Sequence, residues 1–103
     1  KFMASTFTPD KDNYAGQVCQ GVRIKVTDPT LVRPVDLFVH LSCLLRQSWP
    51  NDFQLRWNEM VRVTGSSDFE HLYQANKPAA EMLEVFHKSA EDFVKERQPF
   101  LLY

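Results

Sequence analysis

Residues 14–28, YAGQVCQGVRIKVTD, constrain the fold more than any other stretch. Val22, Ile24 and Val26 alternate with Arg23, Lys25 and Thr27, the period of two expected of a strand with one buried and one wet face. Ahead of that alternation stand two of the chain's three glycines, Gly16 and Gly21. Glycine accepts backbone angles that other residues avoid, so a tightly shaped loop feeding the strand is expected. Spacing alone favours a hairpin connection with two turn glycines over a ligand-binding loop. Loops that feed half-buried strands are nonetheless a common source of cleft residues.

The flanking segments fit a hairpin followed by helices. Residues 2–8 carry β-branched and aromatic side chains before Pro9 and read as a strand, with a polar, turn-rich loop over 9–13. Pro34 suits the first turn of a helix over 34–49, whose Leu37, Leu41 and Leu44 form an apolar row widened by Phe38, Leu45 and Trp49 and expected to bury against the sheet. Phe53, Leu55 and Trp57 alternate as an extended segment would, and a helical turn over 60–63 should stop at a left-handed Gly65. Ser67 with Glu70 matches a capping box opening a helix over 67–75. Asn76 suits a left-handed cap, and Pro78 opens the last helix, 78–97, with Met82, Leu83, Phe86, Ala90, Phe93 and Val94 facing the core. Pro99 ends it, and the tail Phe100-Leu101-Leu102-Tyr103 is expected to dock. Strands first and helices after give an α+β class. The sheet is small and antiparallel, with strands near 2–8 and 21–28, covered on one face by helices near 34–49, 67–75 and 78–97.

The 103 residues suit one domain, 1–103. A net charge of −1 argues against a nucleic-acid partner, and no apolar run approaches the ~20 residues of a membrane span. The opening Lys1-Phe2-Met3, without an initiator methionine or a signal pattern, reads as a piece of something longer. Two cysteines, Cys19 and Cys43, are too few for a disulfide scaffold and read as free thiols.

The candidate chemistry is sparse. Asp36, His40, Cys43 and Gln47 share a face of the first helix, but no motif supplies further ligands, so the row reads as a polar face and no metal is expected. His71 and His87 read as solvated, with Glu84 in reach of His87. Glycoside hydrolysis needs paired carboxyl groups. Asp10 and Asp12 lie in a polar loop with no apolar flank to raise a pKa, and Asp28 stands alone at a strand end. Glu91 and Asp92, adjacent on a helix, point ~100° apart. No catalytic set and no cofactor motif emerges. Most aromatics read as packing; Tyr14 is the exception, because it lies in the loop and could stack on a sugar ring.

Six stretches together suggest a family: Phe7-Thr8-Pro9, Tyr14-x-Gly16-x-x-Cys19-x-Gly21-Val22, Val26-Thr27-Asp28, Pro34-Val35, Thr64-Gly65-Ser66 and Arg97-x-Pro99-Phe100-Leu101-Leu102-Tyr103. In order and spacing the chain resembles, over nearly its whole length, the C-terminal domain of the bacterial exo-acting β-N-acetylmuramidases. The resemblance implies an enzyme that releases N-acetylmuramic acid from the non-reducing ends of peptidoglycan fragments. It implies a larger N-terminal Rossmann-like domain of the same protein as partner, a cleft between the two domains, and catalytic glutamates on the larger one. No catalytic residue carries over to this chain. The loop with Tyr14, Gly16 and Gly21 would complete the substrate cleft, Tyr14 stacking or hydrogen-bonding and the glycines letting backbone groups approach. A bacterial periplasmic or secreted setting follows more naturally than a cytoplasmic one. Phe38 stands where the family tends to a small residue, Val61 where it tends to an acid and Phe86 near a tryptophan, as in a distant member. The alternative reading is a stand-alone, non-enzymatic module that binds a glycan or a protein.

Overall fold

A computed structural model describes residues 1–102. Two compact units divide the chain, Lys1–Val32 and Arg33–Tyr103. The first holds strands β1 (Phe2–Phe7) and β2 (Cys19–Ile24). The second holds helices α1 (Pro34–Ser48), α2 (Trp57–Thr64), α3 (Asp68–Gln74) and α4 (Ala79–Arg97), with a 3-10 turn at Gln98–Phe100. The class is α+β, with a two-stranded antiparallel sheet and four helices among the described residues.

In the first unit β1 and β2 pair from Phe2 opposite Ile24 to Phe7 opposite Cys19. The ladder continues one residue further: the Lys1 ammonium donates to Lys25 O at 2.9 Å, and Lys25 N–H donates to Lys1 O at 2.8 Å. β2 therefore starts and ends earlier than the expected 21–28. Lys25 is paired with Lys1, so residues 26–28 have no partner in β1, and the chain turns beyond them. The Asp28 carboxylate accepts Thr30 N–H at 2.9 Å and the Thr30 hydroxyl at 2.6 Å, bending the chain around Pro29. Opposed residues share a face, so Phe2, Ala4 and Thr6 lie with Ile24, Val22 and Gln20. The alternation identified that face correctly, but its expected burial is not found: Val22 is 64% exposed and Ile24 46%. A period of two tells which side chains share a face, not what covers it. On the other face a Cβ at Gly21 would stand 2.8 Å from Phe7 Cε1, so the Phe7 ring occupies the space that glycine leaves.

The core of the second unit is Val39 of α1, Phe69 and Tyr73 of α3, and Met82 and Leu83 of α4, bordered by half-buried Phe38, Leu55, Trp57, Leu72 and Phe86. Phe69 is its hub: ring centroids lie 5.4 Å away at Phe38, 5.5 Å at Tyr73, 5.9 Å at Trp57 and 6.3 Å at Phe86. α1 begins at Pro34, as expected of a residue whose missing N–H has no partner in a first turn. Its buried residues are Val39 and Ser42, whereas Leu41, Leu44 and Trp49 of the expected stripe are exposed. Ser42 is tolerated inside because its hydroxyl donates to Phe38 O at 2.8 Å. Arg46 reaches across from α1, donating to Tyr73 O at 2.7 Å and Lys77 O at 3.1 Å, with its guanidinium carbon 4.5 Å from the Tyr73 ring centroid. It thereby ties α1 to the turn between α3 and α4, where Tyr73 O also accepts Asn76 N–H at 3.1 Å.

Gly65 at φ 74° closes α2, its N–H donating to Val61 O, and Asn76 at φ 58° follows α3. The capping box does not form; Ser66 rather than Ser67 accepts a side-chain bond from Asp68 N–H, at 3.1 Å. Only the first half of α4 is buried, with Ala90, Phe93 and Val94 exposed. Phe100 and Leu102 are exposed rather than docked, and Tyr103 lies outside the described residues.

Candidate functional site

The connection over residues 8–18 is held by its own backbone. Gly16 N–H donates to Pro9 O at 2.9 Å, Gln17 N–H to Tyr14 O at 3.0 Å and Ala15 N–H to Asp12 O at 3.3 Å. Where the loop joins β2, the Cys19 thiol lies 3.6 Å from Gln17 O. These closures place three alternating residues in the left-handed region: Asp12 at φ 63°, Tyr14 at φ 63° and Gly16 at φ 76°. Glycine takes this conformation freely and aspartate tolerates it, but for a bulky side chain it is an outlier. Such residues cost on the order of 1–3 kcal/mol, and they cluster where a site needs a particular geometry. The strain here holds an aromatic side chain outward, since Tyr14 is 67% exposed.

The three residues singled out from sequence therefore fall in two places. Tyr14 and Gly16 sit in the loop, where Gly16 is needed for its angle alone, because an added Cβ would meet open space. Gly21 lies inside β2, beneath the Phe7 ring. Asp28, the carboxylate at the strand end, is a poor proton donor. Hydrogen bonds from the Thr30 hydroxyl, and then the Thr30 N–H, hold the Asp28 carboxyl below the usual range.

In the helical unit an open groove of about 720 Å³ is lined by Val35, Phe38, Phe86 and Phe93, with Thr64 and Ser66 supplying polar atoms. The sequence offers a partial signal, since Phe86 and Phe93 are expected on the core face of α4: Phe86 is half-buried against Phe69, Phe93 is exposed, and both line the groove. Asp36 and His87 join α1 to α4, with Nε2 and Oδ1 3.0 Å apart. Thus His87 meets Asp36 rather than Glu84, while His40, Cys43 and Gln47 of the same row line a separate open hollow. Among the described residues no three His, Cys, Asp or Glu side chains gather as metal ligands would. Cys43 is a free thiol whose pKa burial pushes up, against the pull of the Arg46 charge, which is the opposite of nucleophile activation.

Fold and loop together define a small α+β domain that presents an aromatic side chain on a strained hairpin connection. The chain belongs to the family described as exo-β-N-acetylmuramidase NamZ, C-terminal, which matches residues 1–103. It is 23% identical over 103 residues to the peptidoglycan β-N-acetylmuramidase NamZ of Bacillus subtilis (strain 168), an alignment covering 99% of this chain and 25% of that protein. The chain thus spans a quarter of the length of the curated relative it matches. No solved structure matches.

Proposed function

We propose that residues 1–103 act as the C-terminal domain of a two-domain peptidoglycan amino-sugar hydrolase and complete its substrate cleft without supplying the catalytic carboxyl groups. The other domain would be N-terminal and Rossmann-like, and the ligand a peptidoglycan fragment ending in N-acetylmuramic acid. The observation that carries this reading is Tyr14, an exposed ring on a left-handed backbone fixed by the loop's own hydrogen bonds. A loop backbone fixed in advance lowers the ordering cost when a sugar stacks on the ring, and the Tyr14 hydroxyl can meet a sugar oxygen. Gly16 permits the turn that leaves loop backbone groups near the ligand. Gly21 acts at one remove, by seating Phe7 at the base of the loop. Family membership supports the enzyme class.

The test uses the full two-domain polypeptide and release of N-acetylmuramic acid. Tyr14→Gly removes the ring without adding strain at the left-handed position, and Tyr14→Asn, which also tolerates that conformation, checks that a loss does not come from a loosened loop. The expected result is a fall in kcat/KM of about tenfold, equivalent to ~1.4 kcal/mol of transition-state stabilisation. Tyr14→Phe should recover the part due to stacking. An unchanged kcat/KM in Tyr14→Gly would remove Tyr14 from the site. The binding-module alternative draws on the helical groove, whose apolar lining suits an apolar peptide better than a sugar.

A further inference from the structure

We infer that the apolar face of the hairpin, formed by Phe2, Val22 and Ile24, is the surface on which this domain docks against the preceding domain of its own polypeptide. The inference rests on the two-domain reading above and assigns its interface, which lies on the strands rather than the loop.

Register makes the patch continuous. Phe2 stands directly opposite Ile24, and Val22 opposite Ala4, whose small side chain leaves the face flat. Phe2 and Val22 are 61% and 64% exposed, and none of residues 1–32 is buried. The opposite face differs in being partly covered: Met3, Ser5, Cys19 and Gly21 there are half-buried, and Phe7 folds over Gly21. A hairpin of two strands is marginal in water unless an apolar face is covered. The face with Phe2 and Val22 is the more exposed of the two, so it is the one left to be covered from elsewhere.

The choice of occupant follows from chemistry and from the family. The polar side chains of this face, Thr6 and Gln20, lie at its loop end, so the end formed by Phe2, Val22 and Ile24 offers a sugar no hydrogen-bonding side chain. The family is by its description a C-terminal part, and the matched relative has three quarters of its length outside the alignment. The hairpin is the portion of this chain nearest in sequence to whatever lies N-terminal of that quarter. Flat, apolar patches of this kind are typical of interfaces between domains.

The test is photo-crosslinking in the full polypeptide with benzoylphenylalanine in place of Val22, a side chain exposed enough to be enlarged without overpacking. The expected product is a crosslink within one molecule, to a peptide N-terminal of Lys1. A crosslink to residues 33–102, such as the exposed Leu41 and Leu44 of α1, would overturn the proposal. So would a product of twice the mass, or none at all. Oxidative footprinting of the unaltered polypeptide gives a reading that no variant can spoil. Phe2 and Ile24 should label several-fold more slowly than exposed Leu31 and Phe100, and equal labelling would overturn the interface. The two proposals fail separately. If the crosslink is absent while Tyr14→Gly still lowers kcat/KM, the docking face alone is lost. If the crosslink forms while Tyr14→Gly has no effect, docking stands and the role of Tyr14 falls.

Discussion

The hairpin unit and the helical unit are held together in different ways. Among the described residues all six buried side chains, Val39, Ser42, Phe69, Tyr73, Met82 and Leu83, belong to the helical unit. The hairpin has none; its order comes from a backbone ladder, the closures of the 8–18 loop and one ring laid over one glycine. Side-chain burial gives the helical unit a free energy of its own. A ladder alone exchanges bonds to water for bonds to protein and gains little net. The hairpin is therefore the part whose stability depends on its surroundings, and it is also the part that carries the strained Tyr14.

The largest expected effect breaks the helical side of this comparison. Phe69 contacts four aromatic rings and is 1% exposed. Phe69→Ala should cost about 3–5 kcal/mol, much of what a small domain has. Urea unfolding followed by circular dichroism measures the loss, and amide exchange locates it. Helix amides should lose protection while the β1–β2 ladder amides change little. Equal loss in both units would mean that one cooperative core spans them, and the comparison would fail.

What the sequence disclosed follows the same division between local and remote causes. Pro34, Gly65 and Asn76 act through their own backbone angles, so each helix boundary they mark was legible. The inward face of α1 was not. Leu37, Leu41 and Leu44 make the more hydrophobic row, yet Val39 and Ser42 are buried, because the face is chosen by Phe69 and Met82 on other helices. Arg46 capping Tyr73 O is invisible for the same reason, its partner lying 27 residues away. Of the candidate site, Tyr14 was legible because it belongs to no amphipathic stripe. Its left-handed backbone was not, since nothing about tyrosine announces it. Gly21 was read as a loop residue, while its reason is Phe7 on the neighbouring strand.

Gly21 offers the next test, on the hairpin side. Alanine there would press a Cβ to 2.8 Å from Phe7 Cε1, but that ring is half exposed and can swing away. The loss is then the ring contact, offset in part by the lower backbone entropy of alanine, for a net destabilisation of about 0.5–1 kcal/mol. The sign should reverse when Phe7 is already alanine, because only the backbone gain remains. Exchange of the Lys25 and Cys19 amides in the four proteins of that cycle reads the coupling. Additive effects would show that the Phe7 ring does not rest on Gly21 in solution.

The smallest effect returns to the helical unit and is a matter of pH. Burial lifts the Cys43 thiol above its ordinary value of 9.0, with Arg46 pulling the other way. The Tyr73 phenol is lifted from 10.0, again mainly by burial. In the unfolded chain Cys43 begins to ionise near its ordinary value, while in the folded unit it still holds its proton. The folded state then binds more protons than the unfolded state, so stability falls as pH rises. The contribution of Cys43 is whole below about pH 9 and is lost as pH climbs through the raised folded value. Tyr73 adds the same sign beginning about a unit higher. The slope should be slight, since Cys43 is only half-buried and water screens what burial imposes. The measurement is the urea midpoint of the helical unit at about pH 7.5 and about pH 9.5, with reductant present, in the parent and in Cys43→Ala. The parent midpoint should fall between the two conditions and the variant midpoint should fall less. If both fall equally, the alkaline loss comes from groups outside the core, and burial in the helical unit leaves Cys43 as easily ionised as an exposed thiol.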